Sequence, residues 1–200
     1  MWNKAVYKRI NARGFTIVEL LVTITIFLTI GIIGGNFIVT GFRATTFAGE
    51  QEEATTNARR AMEIMTRHLR GTNNSEQGDY PLNAITGNNL VFFSDIEYDG
   101  KAEMVQYVRV GNSLKMVTTP PGPTNDYNMP SATTTLADYV NNPGLESIFT
   151  YYDNNRNITA DVDEIRLIKI LLKINVTPER APSDFVVETD VHLRNLKDNL

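Results

Sequence analysis

From Phe15 to Val39 the chain runs for 25 residues with one charged side chain, Glu19. As a helix this stretch spans about 37 Å, against about 30 Å for the hydrocarbon core of a bilayer. It is therefore a membrane-length segment, and the remaining sequence has to fold beyond its end. A carboxylate inside such a segment is costly and marks a functional position by default. Residues 1–14 carry Lys4, Lys8, Arg9 and Arg13 and no acid, the composition of a cytoplasmic flank. The expected topology has the N-terminus inside and everything after residue 40 outside. A cleaved secretory signal has a shorter apolar core, a small-residue cleavage site behind it and no buried acid. An ordinary signal anchor explains the length, but neither Glu19 nor the Gly14-Phe15 junction.

The run Arg13-Gly14-Phe15-Thr16-Ile17-Val18-Glu19-Leu20-Leu21 resembles the class III leader of type IV prepilins and pseudopilins. In that family a short basic leader ends in Gly, followed by Phe, a few apolar residues and a Glu fifth after the cut. Gly14, Phe15 and Glu19 stand at those positions. The resemblance implies cleavage between Gly14 and Phe15 by a membrane-embedded prepilin peptidase and N-methylation of the new Phe15 amine. It also implies assembly with other pilins or pseudopilins, through an inner-membrane platform, into a helical filament. The implied location is the bacterial inner (cytoplasmic) membrane, crossed once, with the C-terminal domain periplasmic or extracellular before it enters the filament. Where filament-forming relatives often carry a helix-breaking Pro, this chain has Asn36. Gly31, Gly34, Gly35 and Gly41 supply softness instead, each weakening the helix by up to about 1 kcal/mol relative to Ala.

Two hundred residues allow one modest domain plus an anchor. Loss of the four leader cations would move the formal charge from -4 to -8. An acidic mature chain is a poor non-specific binder of nucleic acid, which relies on Lys and Arg to neutralise phosphates. Cysteine is absent, which excludes thiolate nucleophiles, thiolate metal sites and thiol redox chemistry. The chain departs here from the many major pilins that carry a C-terminal disulfide.

Helical patterning continues past the apolar run. Between Arg43 and Arg70, Ala44, Phe47, Gln51, Ala54, Ala58, Ala61, Met65 and Leu69 form a stripe at helical spacing. Glu50, Glu52 and Glu53 precede Arg59, Arg60 and Arg67, an order that suits the helix macrodipole. Gly71, followed by Thr72-Asn73-Asn74-Ser75, is the expected stop. A helix over 15–70 would be about 84 Å long.

Strands are expected at Leu90–Ser94, Met104–Val110, Leu114–Thr118, Ser147–Tyr152, Ile165–Val176 and Phe185–Leu193, with Gly111-Asn112 turning a hairpin. Residues 119–134, with four prolines, read as an irregular loop, and Leu136–Val140 as one helical turn stopped near Pro143-Gly144. The strongest pattern is Ile168, Ile170, Leu172, Ile174 and Val176 on one face of a strand, expected to cover the helix stripe. The fold class is thus α+β and pilin-like, a long N-terminal helical spine packed against a mostly antiparallel sheet. Its parts are a leader (1–14), a transmembrane or filament-core half-helix (15–41), an amphipathic half-helix (42–71) and an exported β-rich domain (72–200).

Phe92-Phe93, Gln106-Tyr107-Val108, Phe149-Thr150-Tyr151-Tyr152-Asp153 and Val191-His192-Leu193-Arg194-Asn195 are similar to segments of minor pseudopilin J of type II secretion and of W-type minor pilins. That resemblance implies a low-copy subunit near the filament tip that primes assembly. A tip adhesin or DNA-capture pilin is the alternative, with Arg59, Arg60, Arg67 and Arg70, or Tyr127 in the Pro-rich loop, as its contacts; a signal-anchored enzyme is a third. Asp153, Asn155, Asn157, Thr159, Asp161 and Glu164 have the 1, 3, 5, 7, 9, 12 spacing of a calcium loop. Ile158 sits where that loop needs Gly, and a polar turn between strands explains the same residues. His68 and His192 lack the positioned partner that catalysis requires. No catalytic residue and no cofactor is expected.

The leader reading makes a direct prediction. Co-expressed with its prepilin peptidase, the protein will yield an intact mass and an N-terminal sequence beginning at methylated Phe15. Gly14→Leu will accumulate with residues 1–14 attached, because the peptidase must close around a residue without a side chain. A mature-sized Gly14→Leu product would refute this.

Overall fold

A computed structural model describes residues 14, 16–142, 146–176 and 184–193. Expectations that fall on the leader 1–13, on Phe15, on Pro143-Gly144 and on Arg194-Asn195 lie outside the described residues. One helix, α1, covers Ile17–Arg70. The chain divides into two units, 1–48 and 49–200.

In the first unit α1 is exposed almost throughout, Phe27 at 79% and Phe37 at 80%. Its most apolar window has a mean hydropathy of 2.4, long and apolar enough to cross a membrane. Three of its threonines bond back to the helix. Thr23, Thr25 and Thr29 donate their hydroxyls to the carbonyls of Glu19, Leu21 and Thr25 at 2.8 Å. A hydroxyl bonded back to its own helix costs little in a medium that offers no other partner.

The second unit combines the end of α1 with two antiparallel sheets. The larger contains β1 (Leu82–Thr86), β2 (Asn89–Ser94), β3 (Glu103–Val110), β4 (Ser113–Thr119) and β5 (Ala132–Ala137), in that spatial order. The smaller contains β6 (Phe149–Tyr152), β7 (Leu167–Ile174) and β8 (Phe185–His192), with a 3-10 turn at Val162–Glu164. The expected single sheet is therefore split in two. The β3–β4 hairpin forms as expected, closed by Val110 opposite Ser113, with Gly111 at φ +62°, a conformation in which glycine avoids the Cβ clash.

Two expectations fail locally. Residues 132–134 are not loop, and Leu136–Val140 is not a helical turn. Ala132–Ala137 forms β5 against β4, with Thr133, Thr134 and Thr135 opposite Val117, Met116 and Lys115. Val140 bridges to Ile174. Three consecutive β-branched threonines favour extended backbone, and a short apolar run such as Leu136–Val140 does not distinguish helix from strand by periodicity. Strand β1 was also not expected. Its signal is the Gly87-Asn88 pair joining Thr86 to Asn89 across a tight turn.

One core joins all three layers. From α1 it takes Ala54, Ala58, Ala61, Met62, Met65 and Leu69. Leu90, Phe92, Val105, Tyr107 and Leu114 come from the larger sheet, and Phe149, Ile168, Ile170, Leu172, Ile174 and Val191 from the smaller. The even-numbered face of β7 from Ile168 to Ile174 is fully buried, as its alternation dictates. Its opposite face keeps Lys169 and Lys173 half-buried, paired at 2.7 Å with Glu188 and Glu146. β2 breaks the alternation. Phe92 enters the core, while Phe93, on the other face, is covered by Tyr127, whose ring centroid is 5.0 Å away.

A buried side-chain pair joins α1 to the larger sheet, His68 Nδ1 to the Tyr107 hydroxyl at 2.8 Å. Burial first, and then the neighbouring Arg67 charge, lower the His68 pKa to about 4; burial also pushes the Tyr107 phenol far up. A folded pKa below the unfolded value near 6.5 means the neutral imidazole is favoured in the native state. The stability it contributes is complete above pH 6.5 and is lost as pH falls toward 4. One proton accounts for at most about 1.4 kcal/mol per pH unit.

Two outcomes follow for the detergent-solubilised chain. Its denaturation midpoint will fall between pH 7 and pH 4.5, and His68→Gln will flatten that slope; an unchanged slope would remove His68 from the account. Phe92→Ala, which empties a fully buried site, will cost about 3–5 kcal/mol, read as a lowered midpoint at pH 7.

Candidate functional site

The site that the sequence singles out lies where α1 begins. Thr16 takes the N-cap position: its carbonyl accepts the Leu20 amide at 3.1 Å and its Oγ1 accepts the Glu19 amide at 3.2 Å. Thr16-x-x-Glu19 is thus a capping-box pattern, with Glu19 at N3. Glu19 is exposed in the first turn, where the helix dipole favours a negative charge. Sequence reasoning took Thr16 only as part of a motif; the Thr-to-Glu spacing of a capping box is the signal that reveals its structural role. Both residues lie on the C-terminal side of the Gly14-Phe15 bond. Gly14 is exposed, and a Cβ built on it meets nothing within 4 Å. Its lack of a side chain is therefore not required by packing within the chain.

The other candidate positions have local partners. Asp153 Oδ1 accepts the amides of Asn155 and Asn157 at 2.8 Å, and Oδ2 accepts the Asn157 side chain at 3.0 Å. These bonds hold the Asp153 carboxyl below its usual range, the Asn157 side-chain bond first. Thr159 Oγ1 donates to Glu164, and Asp161 accepts the Asp163 amide to cap the 3-10 turn. The six residues with calcium-loop spacing thus form an Asx-type turn closed by its own amides, with Arg156 at φ +63°.

A second acidic group, not foreseen from spacing, gathers Asp95, Asp99 and Glu103, with carboxylate oxygens within 4.8 Å of one another. Here too backbone amides take the oxygens: Asp99 and Gly100 donate to Asp95, and Ile96 donates to Glu103 at 2.8 Å. Burial raises the Glu103 pKa.

Tyr127 is pinned rather than presented. Its hydroxyl donates to the Ala102 carbonyl at 2.9 Å and accepts the Glu76 amide at 3.1 Å. His68 packs in the core and His192 lies exposed on β8. Arg59, Arg60, Arg67 and Arg70 are exposed along α1.

No curated protein matches the chain. Residues 9–34 match the family described as the prokaryotic N-terminal methylation motif. The match covers the Gly14-Phe15 junction, the capped start of α1 and most of its apolar run. A motif of this kind implies processing by prepilin peptidase and assembly with other pilins, and proteins that carry it are structural subunits. The apolar helix beside it is compatible with single-pass anchoring in the inner membrane. The chain thus carries the signature of a type IV pilin-like substrate of prepilin peptidase, at the head of a fold that is itself pilin-like.

Proposed function

We propose that this chain is a minor pilin-like subunit, a pseudopilin or minor pilin, cut between Gly14 and Phe15 and N-methylated at Phe15. In this reading it passes from the inner membrane through an assembly platform into a type II secretion pseudopilus or a type IV pilus. It sits near the tip, where it primes assembly. The observation that carries the reading is Glu19: a carboxylate exposed at N3 of an apolar helix that no described residue of its own unit covers. Packing such helices side by side buries their apolar surface at roughly 25 cal/mol per Å². It also buries the new amine of Phe15, and an unpaired buried charge costs several kcal/mol. The Glu19 carboxylate of a neighbour neutralises that amine and fixes the stagger between subunits. Glu19 is therefore the assembly residue and Gly14 the processing residue.

The chain serves as a structural component with no catalytic residue and no resident cofactor. Residues 153–164 act as a polar turn between β6 and β7, since Asp153 is already the acceptor for its own loop. The tip and priming role rests on the likeness of Phe92-Phe93, Gln106-Tyr107-Val108 and Phe149–Asp153 to minor subunits. Its buried members, Phe92, Phe93, Tyr107 and Phe149, are core residues, so the likeness is one of packing.

Glu19→Val tests the reading. The variant will be cut and methylated at the wild-type rate, yet its amount in sheared filaments will fall at least tenfold, as expected for an interaction of more than about 1.4 kcal/mol. Incorporation at the wild-type level would overturn the role of Glu19.

A further inference from the structure

Strand β8 is the last of a three-stranded sheet, paired along Phe185–His192 with β7 and, among the described residues, with nothing on its other side. A free strand edge presents a row of backbone N–H and C=O groups ready to pair with another chain. The side chains beside this edge are open in the same way. On the core-facing side of β7, Ile170, Leu172 and Ile174 are fully buried. Their partners on β8, Thr189, Val187 and Phe185, are only half-buried. The inner face of the smaller sheet is thus incompletely covered at β8.

There α1 and β8 border a concavity of about 410 Å³, lined by Met62, Thr66 and Val187 and by Arg59, Arg67 and Arg70, with Glu63 as the acid among them. The three arginines are exposed, and Arg59 lies 5.3 Å over the Phe185 ring. None of them makes an ion pair among the described residues, whose ion pairs lie instead on β7. Along the helix axis Arg59 is about 12 Å from Arg67 and about 16.5 Å from Arg70. In an extended chain the side chains at i and i+4 share one face about 13 Å apart, with i+2 midway between them.

We propose that the free edge of β8 and the arginines of α1 form a docking groove for an extended, acidic segment of a partner protein, which adds to the smaller sheet as a further strand. A carboxylate at i meets Arg59, one at i+4 meets Arg67 and Arg70, and an aliphatic side chain at i+2 covers Met62 and Val187. Backbone pairing with the edge supplies affinity, and the alternate side chains supply specificity. Nucleic acid fits the groove less well. The chain is net acidic and repels a long polyanion. Glu63 interrupts the cations, and a phosphate backbone offers nothing aliphatic to Met62 and Val187. The inference goes beyond the filament reading and does not rest on it, because the groove lies wholly within the second unit.

The test uses the full chain in detergent and a fluorescein-labelled peptide, Thr-Glu-Thr-Ile-Thr-Glu-Thr, whose acids and isoleucine share one strand face. Saturable binding by fluorescence anisotropy is expected at low salt, weakened several-fold at about 0.5 M salt. Arg59→Gln combined with Arg70→Gln, both exposed positions, is expected to lower the affinity about fivefold. In an antiparallel pair, alternate residues turn their backbone groups toward the partner strand. Of two peptides N-methylated on alternate amides, one at Thr and the other at Glu and Ile, one is therefore expected to lose at least tenfold in affinity and the other to keep it. Equal binding by both methylated peptides overturns strand addition and leaves a charged patch. Full displacement of the peptide by a random-sequence DNA duplex at equal charge concentration overturns the peptide partner in favour of a polyanion. Failure of the unmodified peptide to bind saturably overturns the groove itself.

Discussion

One stripe of α1 contributes its side chains to a core that both sheets share. Ala54, Ala58 and Ala61 are at most 3% exposed and stand at the centre of the core cluster. Larger residues follow toward the helix end, Met62, Met65 and Leu69, in the same cluster as Phe92, Tyr107 and Phe149. Interiors pack close to crystal density, so a change of side-chain volume along this stripe is felt in the core. Without the helix, each sheet would expose its inner row to water; without the sheets, the second half of α1 would have no partner for its stripe. Helical stability of this kind comes from packing more than from propensity.

The end of α1 is fixed by polar bonds as well as by packing. Its last carbonyls lack partners within the helix, and the neighbouring strand supplies them. Ser94 donates to the His68 carbonyl at 3.0 Å, and the Asn73 amide donates to Phe93 at 2.9 Å. Thr72 closes on the Leu69 carbonyl at 2.8 Å. Gly71 leaves room here, since a Cβ would come within 3.3 Å of Ser94 Oγ. A second polar junction joins the two sheets. Asn142, 1% exposed, bonds Leu171 and Lys173 of β7 through its side chain, while its carbonyl accepts Arg109 of β3 at 2.7 Å. Buried polar groups bonded on all sides specify one arrangement where apolar contacts alone would tolerate several.

The first unit follows the opposite rule. Its helix bonds the hydroxyls of Thr23, Thr25 and Thr29 to its own carbonyls, and its described apolar side chains are exposed. Such a surface is long and apolar enough for a membrane, and Glu19 is the acid at its capped start. Function in this chain is therefore divided between a unit whose contacts are internal and a unit whose contacts are to be made elsewhere.

Periodicity alone determined much of this. The 54 residues of α1, the β3–β4 hairpin, and the buried face of β7 all follow from apolar spacing, which reports directly which side of an element meets the core. The methylation motif over residues 9–34 was equally legible, because a motif of this kind is carried by a linear segment rather than by a folded surface. Tertiary structure decided the rest. It turned Ala132–Ala137 into an edge strand and divided the expected sheet in two. It buried His68 against Tyr107, 39 residues away in the chain, and laid Tyr127 over Phe93. It also set Val187 beside the arginines of α1. Each of these depends on residues distant in sequence meeting in space, and a local pattern holds no information about which distant partner will lower the cost of burying a ring, a hydroxyl or a strand edge.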